Sequence, residues 1–372
     1  MSKRILFLIK GLGRGGAEQL LVSAAPYLDR SRFDYEVAYL LPHKDALVGE
    51  LESFGVPGHC LDGARGVGWI RRLQRLVRER HIDLVHVHSP YAALGARLAP
   101  ALRSVPLVCT EHVVWDCYRS LTKWANLLTF TANDHVFTVS DEVRASMRYP
   151  GIARVLPRPP LETLYYGLDF EEVRRWGGRD GVRAEFGIAE DAPLVGTVAN
   201  FKNHKGYEYL VEAAAKVHAS VPEVRFLLVG QGPLEQVTRR RAAEAGLEDV
   251  MIFAGFRTDA PRLIAALDVF TLASLHEGLS IALLEAMALA KPVVITAAGG
   301  NPEAVEHERS GLVVPPRRPA ELADGILRVL ADNEVASRLA GAAAQRATRF
   351  DIRSSVARTE TVYDDLLKGS RR

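Results

Sequence analysis

Cysteine is scarce in this sequence, and its scarcity excludes two common kinds of covalently or metal-stabilised domain. The three cysteines, Cys60, Cys109 and Cys117, cannot all pair, and none belongs to a Cys-x-x-Cys motif. Neither a disulfide framework nor a structural zinc site is therefore predicted. Buried or free thiols are the expectation.

The sequence also lacks a large excess of charge and a long apolar run. Its 47 lysines and arginines are matched by 45 aspartates and glutamates, which gives a formal net charge of +2. Nucleic-acid binding needs a concentrated basic surface on a recognisable module, and only Trp69–Arg80 is rich in arginine, so no nucleic-acid partner is expected. No stretch approaches the roughly 20 apolar residues of a membrane-spanning helix. A globular protein is predicted.

The amino-terminal segment lacks the features of a secretory signal. A basic start is followed by the short run "RILFLI" and then by a glycine-rich loop, without a small-residue cleavage site. Export is therefore not predicted, and the cytoplasm is the expected location.

The order of apolar segments predicts the fold class. A chain of 372 residues favours two domains with a cleft between them. Short Val/Ile/Leu-rich runs alternate with segments of helical length, which is typical of parallel sheets with crossover helices. The predicted strands are "RILFLIK", "YEVAYLL", "DLVHVH", "PLVCTEH" and "HVFTVS", then "PLVGTVAN", "RFLLVG", "VMIFAG", "VFTLAS", "PVVIT" and "GLVVP". Two Rossmann-like, doubly wound α/β domains are expected.

The alternation is interrupted between Pro150 and Asp191, where proline, glycine and arginine concentrate. This interruption predicts an N-terminal domain over residues 1–175 and a C-terminal domain over residues 190–350. The last helical segment, residues 352–369, is expected to pack back onto the N-terminal domain.

The glycine-rich segment "KGLGRGGAEQLL" after the first strand has Gly11, Gly13 and Gly16 in the order G-x-G-x-x-G. A dinucleotide site also needs an acidic residue at the end of the second strand, which here ends in Leu41-Pro42-His43, so an NAD-dependent dehydrogenase is disfavoured. Glycines before a helix still allow close approach of an anion. A tight turn without a ligand is the structural alternative.

The segment "LHEGLSIALLEAMALAKPVVIT" contains two glutamates that can face one ligand. Glu277 precedes a predicted helix over Ile281–Ala290, and Glu285 lies in its first turns. The amides before the helix would point at the same ligand, and a diphosphate suits that position. These amides belong to Gly278, Leu279 and Ser280. In the structural alternative, the two glutamates serve as a helix cap and a solvated carboxylate.

A lysine follows the first predicted strand of the second domain. Lys205 precedes the predicted helix Gly206–Ser220, and a cation at a helix N-terminus opposes the dipole, which indicates an anionic ligand such as a leaving phosphate. Lys202 is expected to assist. The loop "LLVGQGP", with Gly230, ends at the same sheet edge, where open α/β sheets bind ligands. An ordinary exposed lysine is the alternative.

Three histidines follow or end strands of the first domain. His86 and His88 are interpreted as pointing to opposite faces of their strand, which leaves His88, at the strand end, as an acceptor-side candidate. His112 ends the strand "PLVCTEH", where a hydrogen-bonded structural role is the alternative. No further ligand follows at metal-binding spacing, so no metal site is predicted.

Two helical segments raise the question of a membrane surface. Trp69–Arg80 is predicted to be a packed surface helix, with attachment to anionic lipid as the alternative. Ser120–Phe130 is apolar, and core packing is favoured over contact with a lipid or a bulky acceptor. Peripheral contact with the inner face of the membrane is therefore kept as an alternative.

Seven short segments together carry a family resemblance. They are "GGAEQLL", "TEH", "KG", "GQGP", "FAGF", "EGLSIALLE" and "GGNPEAV". The set resembles the retaining glycosyltransferases of family 4, which have the GT-B fold, and it extends over essentially the whole chain. Lys205 followed by Glu277 and Glu285 is its most specific part.

The resemblance implies a nucleoside diphosphate sugar bound by the C-terminal domain. It places Lys205 on the donor diphosphate, Glu277 on the transferred sugar near its reacting carbon and Glu285 on the ribose hydroxyls. It also implies that the backbone near Phe256 contacts the base. Asn200 stands where the family often has arginine, so a phosphate contact is missing or is supplied by Lys202.

The resemblance assigns the acceptor to the N-terminal domain. His112 corresponds to a histidine that helps to hold the donor sugar. The loop containing Gly13, Gly15 and Gly16 is implied to reach the donor phosphates or the acceptor.

The expected function is retaining transfer of a sugar to an acceptor hydroxyl, in the biosynthesis of a glycan, a glycolipid or a glycosylated metabolite. The sequence has no Asp-x-Asp, the motif of metal-dependent enzymes with the other major glycosyltransferase fold, so neither metal nor cofactor is expected. A nucleotide-sugar epimerase of the same fold and a non-catalytic nucleotide-sugar-binding protein are the alternatives. The acceptor and the oligomeric state stay open.

Overall fold

A computed structural model describes residues 2–63, 66–148, 158–178 and 180–369. The chain divides into two compact units, of which unit 1 combines residues 1–166 with residues 352–372 and unit 2 contains residues 167–351. Each unit is built around its own parallel sheet.

Unit 1 contains a seven-stranded sheet in the order β3-β2-β1-β4-β5-β6-β7, and every neighbouring pair of strands is parallel. The order reverses between β1 and β4. The strands are β1 (Lys3–Ile9), β2 (Phe33–Tyr39), β3 (Gly58–Cys60), β4 (Leu84–Val87), β5 (Leu107–Glu111), β6 (His135–Thr138) and β7 (Leu161–Thr163).

Unit 2 contains a six-stranded parallel sheet in the order β10-β9-β8-β11-β12-β13, which reverses between β8 and β11. The strands are β8 (Leu194–Val198), β9 (Arg225–Val229), β10 (Met251–Gly255), β11 (Val269–Leu272), β12 (Val293–Thr296) and β13 (Leu312–Val314). Two parallel-stranded α/β units confirm the predicted fold class.

The connections between strands are mostly helical, as parallel pairing requires. In unit 1 the helices that precede unit 2 are α1 (Gly16–Ala24), α2 (Val48–Ser53), α3 (Gly68–Glu79), α4 (Pro90–Arg97), α5 (Ser120–Thr129) and α6 (Asp141–Ser146). Those of unit 2 are α7 (Phe170–Trp176), α8 (Val182–Glu185), α9 (Tyr207–Ser220), α10 (Glu235–Glu244), α11 (Ala260–Ala265), α12 (Ile281–Ala288), α13 (Asn301–Ala304), α14 (Pro319–Ala331) and α15 (Asn333–Ala347). The final helix, α16 (Ile352–Gly369), belongs to unit 1.

The helices of unit 1 form two layers because the strands are apolar on both faces. On one face, Trp69 and Leu73 of α3, Ala93 of α4 and Leu127 of α5 share a core with the sheet. On the other face, the core includes residues of α1, α2 and α16, among them Leu21, Leu51 and Tyr363. The layer of α3, α4 and α5 thus lies opposite the layer that contains the C-terminal helix.

A buried carboxylate holds α16 in unit 1. Glu360 Oε1 accepts hydrogen bonds from the Asp29 amide at 2.8 Å and from the Tyr35 hydroxyl at 2.7 Å, and its Oε2 accepts one from Arg32 at 2.7 Å. Burial and the Glu360 carboxylate raise the pKa of Tyr35 above its ordinary value. The helix is therefore fixed by charge-assisted hydrogen bonds as well as by apolar packing.

Several predicted boundaries differ from the observed ones. Unit 2 begins at Gly167, before the predicted limits of 175 and 190, because α7 packs against α11 and α12. Residues 150–157 and 179 of the predicted boundary region lie outside the described residues. The helix after Glu277 ends at Ala288 rather than at Ala290, whose φ of 50° is left-handed. The short strands β3 and β7 were not predicted.

The two helices considered for membrane contact behave differently. Trp69, Leu73 and Val77 of α3 are buried, as expected of a packed surface helix. In α5, core packing is the wrong description of the outer face, because Asn126 and Leu127 point inward while Leu121, Trp124 and Leu128 are exposed. No helix among the described residues is long and apolar enough to cross a membrane.

Replacing Glu360 by alanine is expected to lower the free energy of unfolding by about 2–4 kcal/mol, because it leaves the buried Tyr35 hydroxyl and the Asp29 amide without an acceptor. The measurement is the urea unfolding midpoint at pH 7. Asp365→Ala, which removes an exposed acid from the same helix, is the control. Equal midpoints for both variants would contradict the anchoring role of Glu360.

Candidate functional site

The topology of unit 2 brings two chemistry-bearing loops together. Strands β8 and β11 are neighbours at the point where the strand order reverses, and open α/β sheets bind ligands at this point, beyond the carboxyl ends of the strands. Lys205 lies in the loop after β8, and Glu277 lies in the loop after β11. Their proximity follows from strand order, although they are far apart in sequence.

Lys205 and Glu277 are in direct contact. Lys205 Nζ donates to Glu277 Oε1 at 2.5 Å, and the Ser274 hydroxyl donates to the same oxygen at 2.7 Å. The two charged side chains are only 16% and 8% exposed, respectively. Glu277 Oε2 accepts no hydrogen bond from any described residue. One carboxylate oxygen and two of the three ammonium protons therefore remain for a ligand.

A close backbone crossing sets the position of Lys205. The 3₁₀ turn Asn203–Lys205 ends at Gly206, whose φ is 62°. A Cβ at Gly206 would lie 2.1 Å from the carbonyl oxygen of Ala273, so only glycine fits where this loop meets the loop after β11. The Leu275 amide also donates to the His204 carbonyl at 2.7 Å. This close backbone contact explains why glycine follows Lys205 in the "KG" pair.

The N-terminus of α12 offers fewer free amides than predicted. Ser280 caps the helix, since its hydroxyl accepts from the Leu283 amide at 3.4 Å, and its own amide donates to Asn301 Oδ1 at 3.3 Å. The amides of Gly278 and Leu279 donate to no described residue. Two of the three predicted amides are therefore available for an anion, and that of Ser280 is engaged within the protein.

The segment "GGNPEAV" holds this loop, and no residue of it was singled out from the sequence. Gly299 has a φ of 59°, and a Cβ there would lie 1.7 Å from the Glu277 carbonyl oxygen. The Gly300 amide donates to the Gly278 carbonyl at 2.7 Å. Asn301 is fully buried, and its Nδ2 has no partner among the described residues. The adjacent glycines Gly299 and Gly300 after a predicted strand are the sequence feature that could have indicated this second loop.

Glu285 is a half-buried acid without a partner among the described residues. The residues around it in α12 are apolar and buried, and its carboxylate forms no hydrogen bond or ion pair with any described residue. Burial raises its pKa to about 7. Because desolvation alone causes this shift, ligand hydroxyls that donate to the carboxylate would favour its charged form.

The loops after β8, β9 and β10 pack on one another along the same edge. Gly230 has a φ of 148°, a Cβ there would lie 2.1 Å from the Ala199 carbonyl oxygen, and its amide donates to the Gly255 carbonyl at 2.8 Å. The side chains of Asn200 and Lys202 form no hydrogen bond with any described residue. Phe256 is half-buried directly after β10. The donor contacts of these four residues stay predictions.

The glycine loop of unit 1 follows β1, where that sheet reverses its order. The Leu12 amide donates to the Lys44 carbonyl at 2.7 Å, so the loop packs against the next loop. A Cβ at Gly15 would collide with the carboxylate of Glu18, in the first turn of α1, whereas one at Gly16 would meet nothing within 4 Å. A carboxylate at this helix end disfavours a phosphate there. The ligand contact of Gly13, Gly15 and Gly16 stays a prediction.

The interpretation of His86 and His88 as pointing to opposite faces is wrong. Their ring centroids are 4.2 Å apart, because residues two positions apart on a strand share a face. His86 is enclosed and hydrogen-bonded to Tyr363 at 2.5 Å and to Thr110 at 2.8 Å. Burial lowers its pKa to about 3. His86 is therefore a structural residue.

His88 and His112 form a neutral pair at the sheet edge of unit 1. His88 Nδ1 and His112 Nε2 are 3.3 Å apart. Burial lowers the pKa of His88 well below its ordinary value and that of His112 to about 4. Both rings are thus uncharged at neutral pH, and His88 Nε2 is buried without a partner. The structure brings these two predicted residues together.

Sheets of seven and six parallel strands, with chemistry-bearing loops where each order reverses, define the GT-B class of glycosyltransferase fold. HepE of Anabaena, in a crystal structure with UDP-glucose, matches the chain with a TM-score of 0.83 and 26% identity, over 96% of this chain and 99% of that one. The predicted GT-B architecture is confirmed.

Comparison of the sequence identifies the family. Residues 14–171 match the family model described as "Glycosyltransferase Family 4", and residues 179–346 match that described as "Glycosyl transferases group 1". The chain is 30% identical to the 2-deoxystreptamine N-acetyl-D-glucosaminyltransferase of Streptomyces fradiae, over 85% of this chain and 78% of that protein. It is 27% identical to the alpha-D-kanosaminyltransferase of Streptomyces kanamyceticus, over 84% of both. The protein belongs to the family 4 glycosyltransferases and uses a nucleotide sugar.

Within the described ranges, no three His, Cys, Asp or Glu side chains are grouped as a metal site requires. The three thiols are free, with Cys109 buried and Cys60 and Cys117 exposed. The independence of the reaction from metal ions stays a prediction.

Replacing Glu285 by glutamine is expected to stabilise the protein at pH 8.5 and to have little effect at pH 4.5. The folded-state pKa of about 7 lies above the ordinary 4.5, so between these values the folded chain holds a proton that the unfolded chain has lost. Stability therefore falls as pH rises through this window, by roughly 3 kcal/mol in total. Urea unfolding at the two pH values measures the difference.

Glu212→Gln, which removes an exposed glutamate from α9, is the control for this comparison. If Glu285→Gln had the same effect at both pH values, or destabilised the protein at pH 8.5, the desolvated and unpaired state assigned to the Glu285 carboxylate would be contradicted.

Proposed function

We propose that this enzyme transfers a sugar from a uridine diphosphate sugar to an acceptor hydroxyl, with retention of the anomeric configuration and without a metal ion. The observation that carries the proposal is the contact of Lys205 with Glu277 where the strand order of unit 2 reverses. Support for the uridine nucleotide comes from HepE, which was crystallised with UDP-glucose.

The main chemical demand of the reaction is stabilisation of the departing diphosphate. When the bond between the anomeric carbon and the diphosphate breaks, negative charge grows on the phosphate oxygens and positive charge on the sugar. Lys205 and the free amides of Gly278 and Leu279 supply positive charge and donors at fixed positions. Such preorganised groups stabilise a transition state by several kcal/mol in a site without bulk water.

Glu277 acts on the sugar rather than as a nucleophile. Its Oε1 is engaged by Lys205 and Ser274, while its Oε2 is free to accept a hydrogen bond from a sugar hydroxyl. The acceptor oxygen attacks the anomeric carbon from the face that the diphosphate leaves, and its proton passes to the departing phosphate oxygen. This order of events retains the configuration and balances without another base.

The remaining residues hold the two ends of the donor. Glu285 accepts hydrogen bonds from the ribose hydroxyls, the backbone near Phe256 contacts the base, and Lys202 replaces the phosphate contact that Asn200 does not provide. In unit 1, His112 is the candidate contact to the sugar, and His88 is the candidate residue on the acceptor side. Transfer takes place in the cytoplasm, to a glycan, a lipid or a small metabolite.

Replacing Lys205 by alanine is expected to lower kcat with UDP-glucose at least about 100-fold, because the side chain stabilises charge that develops in the transition state. The unfolding midpoint is measured as well and is expected to fall, because the nearly buried Glu277 carboxylate loses its cation. The measurement is UDP release with a panel of acceptor alcohols. Lys216→Ala, which removes an exposed lysine from α9, is the matched control. Unchanged kinetics of the Lys205→Ala variant would contradict the phosphate contact.

The same assay separates the rival functions. An epimerase alters the sugar of UDP-glucose when no acceptor is present, and a binding protein leaves it intact under every condition. Turnover that requires an acceptor, with the product sugar linked to it, is expected.

Retention and metal independence have their own test. The product is expected to show the same anomeric configuration as the donor by proton NMR, and the rate is expected to be unchanged when excess EDTA removes metal ions. Inversion of the anomeric carbon, or a loss of rate that added Mg²⁺ restores, would contradict the proposed chemistry.

A further inference from the structure

Helix α5 buries a polar side chain beside an apolar one and exposes three large apolar side chains. Asn126 is buried, and its Nδ2 donates to Glu111 Oε1 at 3.2 Å while its Oδ1 accepts from Arg97. Leu121, Trp124 and Leu128 are 82%, 52% and 66% exposed. Spacings of three and seven residues place these three side chains on one side of the helix. The outer face of α5 is therefore an apolar stripe.

The orientation of α5 is fixed by buried charged groups. Glu111 also accepts a hydrogen bond from the Tyr118 hydroxyl at 2.7 Å, and Arg97 donates to Asn133 at 3.0 Å. Turning the apolar stripe inward would break the hydrogen bonds of the buried Glu111 carboxylate and Arg97 guanidinium to Asn126, and losing a hydrogen bond to a buried charged group is costly. The stripe is thus held outward by the fold.

The same helical layer carries a cationic stripe. Arg71, Arg75 and Arg78 of α3 are exposed on the side opposite Trp69 and Val77, which are buried. None of these three arginines forms a hydrogen bond or ion pair with a described residue. They are therefore free to meet an anionic partner, with Glu79 as the exposed acid beside them.

Helix α4 connects the two stripes. It packs against both α3 and α5, as shown by the 5.8 Å separation of the Trp69 and Tyr91 rings and by the hydrogen bonds of Arg97 to α5. Tyr91 and Leu98 of this region are themselves exposed. One continuous surface, here named the α3–α5 surface, thus consists of the arginine stripe, the exposed Tyr91 and Leu98, and the apolar stripe.

We propose that the α3–α5 surface docks on a lipid bilayer that contains anionic lipid. Arginines beside leucine and tryptophan match the interface of such a bilayer, where the cations meet headgroups and the apolar side chains enter the acyl boundary. A second copy of the chain offers no charge complement, since this surface carries three unpaired arginines and one free acid. The inference is independent of the donor chemistry and adds a partner to the proposed enzyme.

The test is co-sedimentation of the full chain with vesicles of phosphatidylcholine alone and of phosphatidylcholine with phosphatidylglycerol. Binding to the anionic vesicles is expected to be at least about tenfold tighter and to weaken in high salt. Arg71→Gln/Arg75→Gln/Arg78→Gln is expected to remove this preference. Leu121→Gln/Trp124→Gln/Leu128→Gln is expected to weaken binding to both kinds of vesicle.

Arg174→Gln/Arg240→Gln/Arg241→Gln removes the same charge from exposed positions of unit 2 and is expected to bind vesicles like the unmodified chain. The thermal shift that UDP-glucose produces is measured for every variant, so that loss of folding or of donor binding is seen separately. No binding to anionic vesicles, or equal loss in the unit 2 control, would overturn the proposal. Dimerisation abolished by the α5 substitutions would assign the surface to a second copy instead.

Discussion

The ion pair of Lys205 and Glu277 is the interaction on which the proposed function of this enzyme depends. It is formed at the reversal of strand order in unit 2, where two loops from neighbouring parallel strands must meet. A nearly buried ion pair is costly to form unless further groups complete it. The Ser274 hydroxyl donates to one oxygen of Glu277, while the other oxygen and the remaining ammonium protons of Lys205 are available to a ligand. The pair therefore holds both charges in place before the donor arrives.

Glycines make this arrangement possible by allowing backbones to touch. Gly206 passes against Ala273, and Gly299 passes against Glu277, at distances that no Cβ permits. Their positive φ angles keep the two loops of the ion pair in register with the N-terminus of α12. Unit 1 uses side chains for the same purpose, since the His88–His112 pair and the Glu111 network fix its own sheet edge. The loops at the sheet edge are thus held by close backbone contacts in unit 2 and by hydrogen-bonded side chains in unit 1.

Much of the fold could be predicted because parallel strands buried on both faces produce apolar runs. The short edge strands β3 and β7 were missed, since three residues carry too little pattern. At the candidate site, the spacing of Glu277 and Glu285 predicted the loop after β11 and the helix α12 that follows it. The role of Asn301 was not visible, because its contact with Ser280 depends on a backbone crossing rather than on periodicity. The exposed apolar face of α5 could not be predicted, because the helix is apolar on more than one side and its buried residues include the polar Asn126 as well as Leu127.

The central claim is that the edge of unit 2 binds the donor through Glu285 as well as through Lys205. The most direct measurement is the number of protons released when UDP-glucose binds at pH 7, obtained by calorimetry in buffers of different ionisation enthalpy. Because burial raises the pKa of Glu285 to about 7 and ribose hydroxyls would donate to its charged form, net proton release is predicted, and none from the Glu285→Gln variant. Binding without proton release, or equal release from both proteins, would contradict this account.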